Sequence, residues 1–277
     1  MKRLPSVSFE RRTVDELSIG DEDSFRHVAL YADLKEVLRR AAYPFRILPK
    51  AHAGRADRAL LLNLAFWDAG AGGGDVLVDR KIEADVVAHA AWHHLSARAF
   101  GQRPGGSLSA DALFMGEAIA SAFDVYLVGR LLGHSPGSTF LETQVPAMSD
   151  TAAATGLSEA RFRTLLADLA RRPDRAFADL RELLSEATAG LHASRDGEEA
   201  YATLAALEGH RYSALLHRYE LANWVLYARA MGAEARRDAR VAAVDRALRR
   251  SKDPLGWLAT NWIAPALAQR ADPSNRA

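Results

Sequence analysis

The chain has 277 residues, 36 Lys and Arg against 35 Asp and Glu, a formal charge of +1 and no cysteine. This near-neutral balance provides no global field to hold nucleic acid or an anionic membrane, so neither is expected as a partner and any charged group must be bound locally. The absence of cysteine excludes a disulfide framework, a thiolate zinc site, an iron–sulfur cluster and a cysteine nucleophile together, and leaves His and carboxylate ligands for any metal.

The start, Met1-Lys2-Arg3-Leu4-Pro5, runs into Glu10, Arg11, Arg12, Asp15 and Glu16 without the apolar stretch of a secretory signal, which predicts a cytoplasmic protein. Residues 1–24 are polar, poor in pattern, and read as a loosely held arm. From Ser24 to Arg40 apolar positions recur at helical spacing and predict a first helix. Pro44 and Pro49 bracket a short extended piece, Phe45 to Leu48. Arg58–Trp67 and Asp75–Asp79 read as two strands joined by the glycine-rich 70–74, with a helix as the competing reading of the Leu-rich first run. No Lys-Ser or Lys-Thr follows those glycines, so they form a hairpin tip and not a phosphate loop.

Beyond residue 80 nearly everything reads as helix. A helix over 82–100 is followed by one that Ser109 and Asp111 start and Gly133 ends. Residues 112–129 approach the length of a membrane span, but Glu117 and Asp124 lie in their interior, so a buried helix is expected. Ser158 and Pro173-Asp174 open further helices; 198–231 is one helix or two with a break near Gly209. Residues 233–250 form a charged surface helix, and 254–269 an apolar one interrupted by Pro265. The expected fold is α+β and predominantly helical. A small N-terminal hairpin or sheet (residues 1–80, with the first helix) packs on a multi-helix body (81–277) carrying a two-helix site, the whole forming one compact unit.

The chemistry concentrates in 82–130. At about 100° per residue Ile82, Val86, His89, His93 and Phe100 share a face of a helix that is apolar almost all round. The imidazoles of His89 and His93, one turn apart, can reach one ion. On the next helix Glu117 and Asp124 share a stripe with Ser121 and are the only charges between Asp111 and Arg130. Two carboxylates on an apolar stripe demand a cation, a proton or firm hydrogen bonds opposite them.

At these residues the sequence resembles the gluzincin class of zinc metallopeptidases, which carry His-Glu-x-x-His on one helix and an acidic motif on the next. Here the stretch is His89-Ala90-Ala91-Trp92-His93, with Glu117 following 24 residues later. The resemblance covers about fifty residues and implies His89, His93 and Glu117 as zinc ligands. It departs at Ala90, where that class has its general base. With Ala90 there, Asp85 and Asp124 are the groups available as catalytic base, and Asp124 is also expected to hold an imidazole N–H from outside the ligand set. Iron is the second metal, because two His and one carboxylate also form the site of non-haem iron oxygenases. Three functions stay open: a metal-binding protein of metallopeptidase-like architecture acting on a small molecule or peptide, a non-catalytic binding or scaffold protein, and an iron oxygenase.

Other signals are weaker. His94, about 100° round from His93, is expected to pack or to make an outer hydrogen bond. His210, His217 and Glu220 lie at helical spacing and are candidates to line the cavity over the first pair. The basic run from Arg236 to Lys252 reads as a solvated face. Trp224, Tyr227, Trp257 and Trp262 read as core.

Overall fold

In the computed structural model of the chain, residues 8–66, 74–101, 108–230 and 238–268 are described. Over its described part, 8–24, the N-terminal stretch is not a loose arm. Glu10–Arg12 forms strand β1 and Ser18–Gly20 forms β2, and between them Val14 is buried at 1% exposure. Three-residue strands offer too few alternations to register in a periodicity. Helix α1, Ala29–Arg40, buries Tyr31, Leu34, Val37 and Leu38 along one stripe, as its spacing predicts. Just before it Asp21, at φ 57°, accepts hydrogen bonds from the Ser24 and Ser138 hydroxyls and from the Phe140 N–H, tying this segment to the start of a distant helix.

The extended piece after Pro44 is β3, Phe45–Ile47. The hairpin predicted from 58–67 and 75–79 does not form: Ala56–Phe66 is helix α2, and only Val76–Leu77 is a strand, β4. The run 58–66 contains no β-branched residue and is rich in leucine, a good helix former, and Asp57 sits favourably in the first turn. The glycines at 70–73 lie outside the described residues. At Gly74 a Cβ would fall 1.3 Å from the Pro44 carbonyl oxygen, so only glycine lets the chain pass there.

β1 pairs antiparallel with β3, and β3 pairs parallel with β4; separately β2 pairs parallel with β5, Lys81–Glu83. Asn63 of α2 completes the edge of β4: its amide donates to the Val76 carbonyl (3.0 Å) and accepts from the Val76 N–H (2.7 Å). Ile82, expected on the histidine helix, therefore belongs to β5.

The body is built around two helices, α3 (Ala84–Phe100) and α4 (Ala110–Leu132). Ser109 caps α4 by accepting from the Ala112 N–H, and Gly133 ends it, both as expected. Among the described residues α4 alone is long and apolar enough to cross a bilayer, and 78% of its most apolar window is buried within the protein. Around it lie α5 (Thr139–Ala154), α6 (Glu159–Arg171, capped by Ser158) and α7 (Pro173–Ala193, with proline in the first turn). The stretch 198–231 is broken as anticipated, into α8 (Gly197–Leu207) and α9 (Arg218–Ala230).

α10, Ala239–Arg250, is a charged helix whose Arg249 bonds Glu182, Glu186 and Asp245. At the C-terminal end α11 (Pro254–Leu258) and α12 (Ala264–Ala268) are joined by a π turn, Ala259–Ile263, which absorbs the hydrogen bond that Pro265 cannot donate. One buried apolar cluster runs from Val14 and Phe45 through Trp92 and Phe123 to Phe177 and Trp262, so sheet and helices share a core. The fold is α+β and mostly helical, as the sequence predicts.

Candidate metal centre

The centre starts from how closely α3 and α4 approach. A Cβ at Gly116 would sit 2.8 Å from Ser96 Oγ and 4.0 Å from His93 Nδ1, so glycine lets α4 press its next residue, Glu117, against the histidine helix. His93 is buried at 7% exposure, while His89, one turn earlier, borders an open cavity. Val86, expected on the same face as His89, is instead among the exposed apolar side chains.

His89 Nε2 and His93 Nε2 are 2.9 Å apart, and Glu117 Oε2 is 3.7 Å from His93 Nε2. One donor atom from each of His89, His93 and Glu117 falls within 4.8 Å of the others, a cluster that could hold a metal ion. Ligands about 2.0–2.1 Å from one tetrahedral ion stand roughly 3.4 Å apart, so the spacing suits a small divalent cation. On the far side of His89, Nδ1 lies 2.9 Å from Asp124 Oδ2. That carboxylate accepts a hydrogen bond from the Nδ1–H and so turns Nε2 toward His93 and Glu117, the carboxylate–histidine arrangement that commonly supports a ligating imidazole. Asp124 Oδ1 is buried with no hydrogen-bond partner among the described residues.

The charges are tightly interlocked. Burial, followed by the charge on His89, holds His93 well below the ordinary imidazole range. Burial also works against the charged form of His89, but the Asp124 carboxylate, the hydrogen bond to it and the charge of Glu117 outweigh that and push it up to about 10. Glu117 is pushed up to about 7 by burial, against the opposing charge of His89. The close approach of His89 Nε2 and His93 Nε2 requires a proton on one of the two nitrogens or a cation shared by both.

The cavity encloses about 260 Å³ and is walled on its polar side by His89, His93, Glu117, Asp124, Asp75 and Glu220. Asn63, Ser121, Asn223, Leu113, Phe114, Trp224 and Tyr227 complete the wall. Asp75 was not foreseen. It follows the glycine cluster and precedes a two-residue strand, where no periodicity marks it. Pairing of β4 with β3 and the Asn63 brace set it at the cavity, and burial raises its carboxyl. Asn63, Trp224 and Tyr227 were likewise read as strand or core; the two aromatics are only partly buried and face the opening.

Asp85 lies in the first turn of α3 and does not line this cavity; burial, then the Asp124 charge, pushes its carboxyl up to about 6. His94 packs edge-on against Tyr43, ring centres 5.5 Å apart, and burial lowers it to about 4. Of the later set, Glu220 reaches the cavity. His217, 3.8 Å from the Glu220 carboxylate, lines an adjoining one, whereas His210 turns away to accept the Tyr212 N–H. No family model, curated protein or solved structure matches the chain, so likeness to the gluzincin class rests on the His89, His93 and Glu117 cluster alone.

Proposed function

We propose that this chain is a metal-binding protein with a centre arranged as in zinc metallopeptidases, His89, His93 and Glu117 holding zinc, and that its reaction is hydrolysis of a peptide or small molecule. The observation carrying the reading is the orientation of His89: with Nδ1 engaged by Asp124 at 2.9 Å, its Nε2 joins two further donors around one point. Zinc bound there supplies Lewis acidity at neutral pH. The protein's own groups do the rest. Asp124 keeps His89 in one tautomer and stabilises any positive charge on it. Proton transfer falls to a carboxylate other than residue 90, because Ala90 is 2% exposed and does not line the cavity. Asp124 is engaged with His89 and Asp85 lies off the cavity wall, so Asp75 and Glu220, which both border the opening, are the better placed acceptors.

A second reading is favoured by Ala90 itself: a binding or scaffold protein that keeps the metal and performs no turnover. Iron oxygenase chemistry is supported by ligand type alone.

Metal analysis of the purified protein separates the three. Stoichiometric zinc that is lost in H89A and E117A supports the proposal. A folded protein that takes up no zinc from a buffered solution overturns it, and ferrous iron bound in preference to zinc transfers the site to the third reading.

A further inference from the structure

Helix α9 presents a composite face to the cavity. Glu220, Asn223, Trp224 and Tyr227 recur at i, i+3, i+4 and i+7, which stacks them along one stripe, and all four line the opening. The two aromatics are partly buried, so each keeps surface that a ligand can cover. The rest of the polar wall is anionic: Asp75, Glu117 and Asp124 border the same space, and no Lys or Arg among the described residues lines it. A zinc ion on His89, His93 and Glu117 brings two positive charges against these four carboxylates, which leaves the wall short of cation. Glu220 lies outside the three-donor cluster, so it is not placed as a ligand of that ion. Its one ion-pair partner among the described residues is His217 at 3.8 Å, beyond hydrogen-bond reach, and half of its side chain stays open. Two further atoms point to an occupant. Asp124 Oδ1 is a buried acceptor and Asn223 Nδ2 a buried donor, each without a hydrogen-bond partner among the described residues, and both residues border the cavity. Orphaned polar atoms of this kind are met by a bound molecule or by water.

We infer that the substrate carries a primary alkylammonium group, held against Glu220 and flanked by Trp224 and Tyr227. This names a substrate class for the metal centre proposed above and takes the hydrolytic step from that reading; the ammonium site itself rests on the α9 face. An ammonium has three N–H donors, so it meets Glu220 through a charge-assisted hydrogen bond while aromatic ring faces attract its charge. The unmet Asn223 donor suits a carbonyl on the same molecule. With Glu220 so engaged, Asp75 is left as the proton acceptor of the pair.

The experiment titrates n-butylammonium and its neutral counterpart butan-1-ol into zinc-loaded and metal-free protein at pH 7, read by NMR shifts. The ammonium is expected to bind both forms, and the alcohol about tenfold more weakly or less tightly still. E220Q should weaken the ammonium about tenfold and leave the alcohol unchanged, and W224L should weaken it about threefold. E198Q, at an exposed position of α8 that does not border the cavity, is the control and should change neither. Alaninamide and Nα-acetyl-lysinamide, run in the same way, tell a peptide amino terminus from a lysine-type side chain as the source of the group.

Equal binding of ammonium and alcohol, or an ammonium affinity that survives E220Q, overturns the inference. So does binding to metal-free protein that zinc abolishes, since the ammonium then occupies the place of the ion, and the metal reading stands. Ammonium binding that E220Q weakens, in a protein that takes up no zinc, keeps the inference and sinks the metal reading instead.

Discussion

Replacing Gly116 by Ala tests whether the spacing of α3 and α4 is set by a single missing methyl. Alanine in a helix interior is normally better than glycine by about 1 kcal/mol. Here the new Cβ would lie 2.8 Å from Ser96 Oγ, a buried hydroxyl that donates to the His93 carbonyl at 3.0 Å, so it cannot swing away freely. Overpacking of this kind costs about 1–3 kcal/mol, leaving a net loss of roughly 0–2 kcal/mol for G116A. S96A removes the obstructing oxygen and leaves Cβ against Cβ at 3.4 Å, an ordinary contact. The double variant should therefore recover the helix-propensity gain, with a coupling of at least about 1 kcal/mol in a double-mutant cycle. Urea unfolding of metal-free protein measures it, and G133A, where a Cβ meets no atom within 4 Å, is the control. Zinc affinity should fall in G116A and return in the double variant, since Glu117 and His93 are carried on the displaced backbones. Additivity within about 0.5 kcal/mol would refute this account of the helix crossing.

D124N should weaken zinc binding about 10-fold to 100-fold in chelator competition, because the amide orients His89 less firmly than the carboxylate; unchanged affinity would remove Asp124 from the site. D85N should stabilise metal-free protein at neutral pH. A carboxyl raised from 3.8 to about 6 is favoured folded only when protonated, so its penalty grows as pH rises from the unfolded to the folded value. Roughly 3 kcal/mol is the ceiling for that gain at pH 7, falling to nothing below about pH 4, and denaturation at both pH values reads it. Asp21 has the opposite sign: burial works to raise its carboxyl, but hydrogen bonds from Ser138, Ser24 and Phe140 hold it below the usual range. Its stabilisation is present above the unfolded value near 3.9 and is lost as acid titrates the folded group. D21A should cost about 1–2 kcal/mol at pH 7 and less in acid, read by the same unfolding experiment.

The helical body was legible because each long helix carries its own punctuation. Ser109, Ser158 and Pro173 start helices where capping chemistry says they should, and Gly133 stops one. That His89 and His93 share one helix face and Glu117 and Asp124 one stripe of the next helix was legible from helical periodicity, whereas the individual pairings of His89 with Asp124 and of His93 with Glu117 come from the structure. The N-terminal third resisted. Its strands are two or three residues long and are held by partners remote in sequence, so β2 finds β5 and β1 finds β3 without any local alternation to announce it. Asp75 escaped for the same cause, since only the tertiary pairing of β4 sets it at the cavity. Trp224 was misread because a partly open aromatic and a core aromatic occupy the same helical stripe.

Asn63 does the work of a neighbouring strand with one side chain. Its amide answers both backbone groups of Val76 at the outer margin of the three-stranded sheet, a margin that would otherwise offer hydrogen bonds to any passing extended chain. Because the same residue also borders the cavity, deamidation to aspartate would set a carboxylate against the Val76 carbonyl, loosen the sheet margin and add a negative charge to the cavity wall in a single event. Chemical ageing at this one amide would thus register both as self-association and as altered cation affinity.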